Sequence, residues 1–312
     1  MRIRKHGPGD AAGYAYAWIS VGLIVAVCLF IICNVLYLGV DVISLRFLTS
    51  PPAASLRNAA DIGGILTPLV GTTLLTVIGI SFALPLSLAS AIYLCWYSKK
   101  GPIKTIIETA IDILAGVPTV VIGLFALAVF TQPWLGFLSA RIETESGYGM
   151  AYGRSFFVAG ITMAIMVLPF VTKSIYVALN TVPPEYAEGS FALGATKWRT
   201  VSKIIIGCAR QGIVSGTILG MGRIIGDTAI VWLALGGTLR MTGIQPWFLP
   251  NNWVSTLRNT GSTLTSYIYY TSPAGEGSNI SVAFGASFVL IVIIIILNAA
   301  VAAIGAIGAN KE

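Results

Sequence analysis

Apolar residues come in long, nearly unbroken runs, without the alternation of a half-buried strand or the one-sided stripe of a surface helix. Six runs have about the 20 residues that a helix needs to cross a bilayer: 18–40, 65–96, 106–130, 156–179, 212–235 and 283–307. The second carries Pro68 and Pro85, which a packed membrane helix accommodates because its neighbours satisfy the freed backbone groups. The pattern predicts an all-α integral membrane protein with six transmembrane helices. They form a single transmembrane domain over residues 18–307, between a tail at 1–17 and another at 308–312.

Composition supports this. The chain is 56% hydrophobic and 10% charged, where a soluble domain carries about 25% charged residues. A soluble protein with so few charges could not cover its surface. Charge also sets an orientation, because Lys and Arg collect on the cytoplasmic side. With the N-terminus inside, the inner segments hold Arg2, Arg4, Lys5, Lys99, Lys100, Lys104, Lys173, Lys197, Arg199, Lys203, Arg210 and Lys311, twelve in all. The outer segments hold six: Arg46, Arg57, Arg141, Arg154, Arg240 and Arg258. Both termini are therefore expected in the cytoplasm. The bias accounts for the net charge of +7 without any nucleic-acid partner. The first run is too long for the apolar region of a secretory signal, about 7–15 residues, and reads as a retained helix.

Little of the chain suggests chemistry of its own. Cys28, Cys33 and Cys95 lie in expected spans and Cys208 just before the fifth; with no C-x-x-C pair they read as small membrane-buried side chains, with no metal. His6 is the only histidine, and no nucleophile–base set is present. No G-x-x-x-x-G-K-[ST] loop occurs, so the chain is not expected to hydrolyse ATP.

The polar segments are unequal. Outside, 41–64 holds a Pro-Pro pair, 131–155 holds Gly, Tyr and charges, and 236–282 is the longest, with Trp247, Trp253, Tyr267, Tyr269 and Tyr270. Such aromatics suit either the membrane–water boundary or a landing surface for an outer partner. Inside, 180–210 reads NTVPPEYAEGSFALGATKWRTVSKIIIGCAR. Pro183 and Pro184 end the preceding helix. Glu185 and Glu188 fall in the first turn of a new one, where carboxylates complement the macrodipole, and Gly194 is its C-cap. A second short helix puts Trp198, Val201 and Ile204 on one face and Lys197, Arg199 and Lys203 on others. The result is a helical hairpin at the inner surface, built either to plug into a groove on another protein or to lie on lipid headgroups.

The fifth run contains GMGRIIGDTAIVWLALGG over 220–237. Arg223 and Asp227 are four residues apart, so they share one helix face. Charge at membrane depth costs about 2.5–3.5 kcal/mol on insertion scales and faces a bundle interior or a wet cavity. The pair is either a structural ion pair or a guanidinium fork for an oxyanion. Glycines at 216, 220, 222 and 226 permit close helix approach; Gly216 and Gly220 read as packing.

At the inner hairpin the chain resembles a known family. Glu188-Gly189-Ser190-Phe191-Ala192-Leu193-Gly194-Ala195, followed after a spacer by Ile204-Ile205-Ile206-Gly207, resembles the EAA loop of ABC importer permeases, E-A-A-x-x-x-G, nine residues, then I-x-L-P. Gly189 and Ser190 stand for the two alanines and Gly207 for the proline. Three further stretches are similar to the phosphate-specific importer permeases, particularly the PstA branch. They are Asp112-Ile113-Leu114-Ala115-Gly116-Val117-Pro118-Thr119 through Phe125; Val182-Pro183-Pro184-Glu185; and Arg223-Ile224-Ile225-Gly226-Asp227-Thr228-Ala229. The last has the family form R-x-x-G-E-T-A-P, with Asp227 for Glu and Ile230 for Pro. Phe47-Leu48-Thr49-Ser50-Pro51-Pro52 ahead of Gly63-Gly64-Ile65 also fits. The resemblance runs from about residue 40 to the last helix.

The resemblance implies a type I ABC importer permease fold whose cytoplasmic hairpin docks a nucleotide-binding subunit through Glu185, Glu188, Gly189, Leu193, Gly194, Ala195 and Trp198. It implies that Arg223, Asp227 and Thr228 line the path of inorganic phosphate. It also implies a bacterial or archaeal plasma membrane, a second PstC-like permease as heterodimer, and a PstB-like ATPase dimer that binds the ATP and Mg. A PstS-like phosphate-binding protein would act outside. Two rivals share part of this pattern: a permease for another oxyanion, and a channel or membrane-anchored structural protein without an ATPase.

Overall fold

The structure, a computed structural model, describes residues 8–52, 63–99, 101–143, 149–239, 241–275, 277 and 279–307. Residues 1–7 of the first expected tail, all of the second, and Arg57, Lys100 and Arg240 lie outside the described residues. The first helix, α1 (Pro8–Gly39), starts ten residues before the expected span, with Pro8 as its first residue, where the missing N–H costs nothing. A short helix α2 (Leu45–Thr49) follows, capped by Ser44. The long helix α3 (Leu66–Ile92) absorbs both Pro68 and Pro85 and continues through a wide turn to Tyr97.

The expected span at 106–130 is two helices. α4 (Pro102–Gly116) and α5 (Thr119–Phe130) meet at 103°. Pro118 lacks the N–H that would continue the ladder and forces Val117 into an extended conformation (φ −72°, ψ 128°). A two-stranded antiparallel hairpin then intervenes, β1 (Arg141–Glu143) and β2 (Gly149–Ala151), with Ile142 opposite Met150. α6 (Phe156–Asn180) is the central helix of the bundle, capped by Ser155 and buried along most of its length.

Then come α7 (Pro184–Ala192) and α8 (Lys197–Cys208), followed after a 70° bend at Ala209 by α9 (Arg210–Gly226). After a break, residues 229–235 form two more turns. α10 (Trp253–Arg258) and α11 (Leu264–Thr271) belong to the long segment that follows, and α12 (Ile280–Ile307) closes the chain. Among the described residues four helices are long and apolar enough to cross a membrane, and with each bent pair as one span there are six.

The main core packs α6 between α3 and α9, with Met163, Met166, Val167, Val171 and Ile175 at 0–1% exposure. A second core ties α2, α11 and α12 together through Phe47, Ile65, Leu264, Tyr267 and Val289. Tyr267 is 1% exposed, so this member of the aromatic set is a core residue. It is held there because α11 is tucked inward: Leu264 N–H donates to Thr72 Oγ1 (2.8 Å), and Thr263 and Ser266 cap each other. Inside the bundle, the hydroxyls of Thr72, Thr76 and Thr162 donate to carbonyls one turn back on their own helices (2.9, 2.7 and 2.7 Å), which satisfies them without a partner helix.

Candidate functional site

The hairpin α7–α8 is built to stand out. Pro184 opens α7 behind Pro183. The helix ends because Gly194 takes φ +79°, a conformation only glycine adopts without cost. The turn is closed by Gly194 N–H to Phe191 O (2.9 Å) and Ala195 N–H to Ser190 O (3.2 Å). Thr196 caps α8 by accepting from Arg199 N–H. The two helices are stapled by a buried bond between the Ser190 and Thr200 hydroxyls (2.8 Å). With Ala187, Ser190 and Thr200 turned inward, the other faces are bare. Glu185, Glu188, Gly189 and Gly194 are exposed and Ala195 half-buried; Leu193 is 90% exposed and Trp198 61%. Tyr186 and Phe191 join them as exposed apolar side chains, and the sequence alone did not single these two out as contacts.

Basic residues gather at the same end. Lys197 Nζ lies 4.9 Å from the Tyr97 ring, Lys104 Nζ lies 5.9 Å from the Tyr176 ring, and Arg210 Nη2 donates to Ile304 O (2.7 Å) near the end of α12. The opposite end is organised by Arg258, which donates to Gly136 O and Ser139 O (3.2 and 3.3 Å).

α9 carries the second set. Gly212, Gly216 and Gly220 repeat every four residues, and each faces α6, against Ala178, Ser174 and Val171 in turn. This close approach sets Arg223 against α6 as well. Its Nε–H points at Met166 Sδ (3.1 Å), and its guanidinium carbon lies 3.8 Å from the centroid of the Phe170 ring. The side chain is otherwise exposed, and among the described residues nothing accepts from its Nη groups. Arg223 is thirteen residues beyond Arg210, roughly 20 Å along the helix, in a segment that with α8 is long and apolar enough to be one span.

Arg223 and Asp227 do not share a helix face and form no ion pair. α9 stops at Gly226, and Asp227 is extended (φ −80°, ψ 130°). Its Oδ1 accepts from Ile230 N–H (2.8 Å), capping the turns that follow. The preference of Asp for an N-cap wins over continuation of the helix. Among the described residues the ion pairs are Lys104–Glu108 (3.8 Å) and Lys173–Asp112. Thr228 is exposed beside the break.

Comparison with known proteins places this geometry. Residues 83–308 match the family of binding-protein-dependent transport system inner membrane components. A probable phosphate transport system permease protein PstC of Methanocaldococcus jannaschii is 32% identical over 262 residues, covering 81% of this chain and 78% of that protein. PstC of Xylella fastidiosa is 31% identical, with 57% of this chain and 58% of the relative covered. PstA of Mycobacterium leprae is 32% identical, with 56% and 52% covered. The chain thus spans little more than half the length of the last two, and it matches both branches. A chain of the bacterial alginate ABC transporter, solved with an alginate-bound periplasmic protein, superposes with a TM-score of 0.60 at 14% identity, covering 94% of this chain and 93% of that one. A chain of the inward-facing MetNI methionine ABC transporter gives 0.57 at 17% identity, covering 77% and 94%. The fold is therefore that of a type I ABC importer permease, and the protein is a multi-pass membrane protein. The chain belongs to the binding-protein-dependent transport system inner membrane components, in the group that includes the phosphate transport permeases.

Proposed function

We propose that this chain is a permease subunit that carries inorganic phosphate into the cytoplasm, driven by a separate ATPase. The observation that carries the reading is Arg223: a guanidinium at membrane depth with unclaimed Nη groups and no carboxylate beside it. A cation at membrane depth without a counter-ion is costly, and an oxyanion in transit supplies one, matched to the planar fork. Phe170 holds the guanidinium by its face and leaves the fork's edge for the anion. Asp227 and Thr228 form the helix break beside it and shape the path. The relatives' phosphate transport names support phosphate as the cargo.

The bare hairpin is the docking element for an ATPase pair, through Glu185, Glu188, Gly189, Leu193, Gly194, Ala195 and Trp198. It grips by the exposed apolar side chains, because a hairpin stapled at Ser190–Thr200 moves as a unit. The chain pairs with a second permease, and a phosphate-binding protein docks outside. The hairpin and the basic residues beside it face the cytoplasm, which puts both termini there. ATP-driven closure of the ATPase pair moves the hairpin, which pushes on α6 and α9, the helices that flank it and hold Arg223.

The test is uptake of labelled phosphate by proteoliposomes containing the assembled transporter, with binding protein outside and ATP inside. ATP-dependent accumulation that excess sulfate does not suppress supports the reading. Accumulation of a different oxyanion in preference, or no ATP-dependent accumulation of phosphate, overturns it.

A further inference from the structure

The segment 241–257 reads MTGIQPWFLPNNWVSTL. It holds no charged residue, and Arg240 and Arg258 bracket it. Ile244, Phe248, Trp253 and Val254 are 57–63% exposed. Six carbonyls of this irregular stretch are nevertheless satisfied from within it. Those of Met241 and Gly243 accept from the Gln245 amide (both 3.2 Å), and that of Pro246 accepts from the Asn252 amide (3.0 Å). Trp247 O accepts from the Thr256 hydroxyl (3.3 Å), Phe248 O from the Trp253 indole N–H (3.1 Å) and Leu249 O from Asn252 N–H (2.9 Å). A loop in water has no need of this, since water serves its carbonyls; in lipid nothing else can.

Behind these side chains lies a cavity of about 280 Å³, walled by Val70 and Leu74 of α3 and by Met241, Trp247, Trp253 and Leu257. Thr256 also lines it, with its hydroxyl spent on Trp247 O and Asn252 O. Water finds no partner there, and a wall left empty forfeits its dispersion contacts. At about 30 Å³ per water-sized unit, the cavity takes a stretch of several methylenes. It lies at the end of the molecule opposite the hairpin. The α3 segment meets the hairpin at Tyr97, beside Lys197, whereas Val70 and Leu74 are roughly 6 and 12 Å from its other end at Leu66. α3 is long and apolar enough to cross a membrane. Its cavity face continues one turn on into Val77, 56% exposed, so the floor of the cavity runs into bare apolar surface of a spanning helix.

We propose that the 241–257 segment lies in the membrane boundary at the end opposite the hairpin, and that its cavity holds an acyl chain of a phospholipid from that leaflet. Tryptophans suit that boundary. A protein partner fits less well, because its contacts would include a polar, charged rim, and seventeen consecutive residues here offer no charge. The inference is independent of the cargo and of the role of Arg223.

The experiment uses the assembled transporter in vesicles of phosphatidylethanolamine and phosphatidylglycerol, doped with a phospholipid that bears a diazirine near the end of one acyl chain. After illumination, labelled peptides are mapped by mass spectrometry. We expect label on Trp247, Trp253 or Leu257 as well as on the bare α3 surface at Val77. Leu74→Trp and, more gently, Val70→Phe fill the cavity. Label on the segment should then fall several-fold, with label at Val77 and the copurifying ATPase unchanged. Absence of label from 241–257 in the wild-type chain would overturn the proposal whatever the variants do, and so would label that filling the cavity leaves unchanged. Val254→p-benzoylphenylalanine captures whatever covers the segment: lipid supports the proposal, and the second permease or the binding protein overturns it.

Discussion

Arg223 spends one face on Phe170 and one N–H on Met166, contacts worth on the order of 0.5–2 kcal/mol where desolvated. Replacement by Lys keeps the charge and loses both the stack and the fork; Arg223→Lys is expected to retain membrane level while uptake falls at least about tenfold, as expected when a charge-assisted, bidentate contact is lost. Asp227 behaves differently. Because its carboxylate caps a backbone N–H, Asp227→Asn should transport nearly normally, while Asp227→Ala should loosen the following turns by about 1 kcal/mol. Hydrogen exchange over 228–235 with parallel uptake assays checks this, and an inactive Asn variant with an intact fold would show that the charge itself is needed. The spacing of four made a shared face the natural sequence reading of this pair. The competing signal was present: Gly226 followed by Asp227 and Thr228 is a helix stop and a new cap. Lys173–Asp112 was not legible at all, since nothing in either motif links positions 61 residues apart.

The elements divide by how local their causes are. The hairpin was readable almost residue by residue, because Pro183-Pro184 and Gly194 each act within one turn. Gly194→Ala forces a side chain into φ +79° and is expected to cost about 1–2 kcal/mol. Leu193→Asp combined with Trp198→Ala removes exposed apolar surface only, so the chain should keep its melting temperature and lose the copurifying ATPase; retained ATPase would mean that the hairpin is not the docking element. The α6–α9 seam is the converse case. Gly216→Val or Gly220→Ile places side chains into Ser174 or Val171, overpacking worth about 1–3 kcal/mol, and should lower the melting temperature in detergent. At Val117-Pro118 the sequence showed the proline, but a proline inside a span is compatible with either a tolerated kink or a break. Pro118 permits the break, and α5 then packs against the turns after Asp227, where Gly123 meets Ile230 and Leu233.

At the scale of the molecule, hydropathy was sufficient for the membrane class because lipid demands long apolar helices. It was insufficient where the chain folds back, as in α11, whose buried Tyr267 looks like any boundary aromatic in the sequence. The architecture sets Arg223 of α9 against α6 and an exposed hairpin at one end of the same two helices. Transport follows from that layout if the cation receives the cargo. The most direct measurement is ATP-dependent uptake of labelled phosphate by the reconstituted transporter with Arg223 replaced by Gln, with assembly checked by copurification of the ATPase. The account predicts an assembled complex whose uptake is lost; an assembled complex that carries phosphate at the wild-type rate would contradict it.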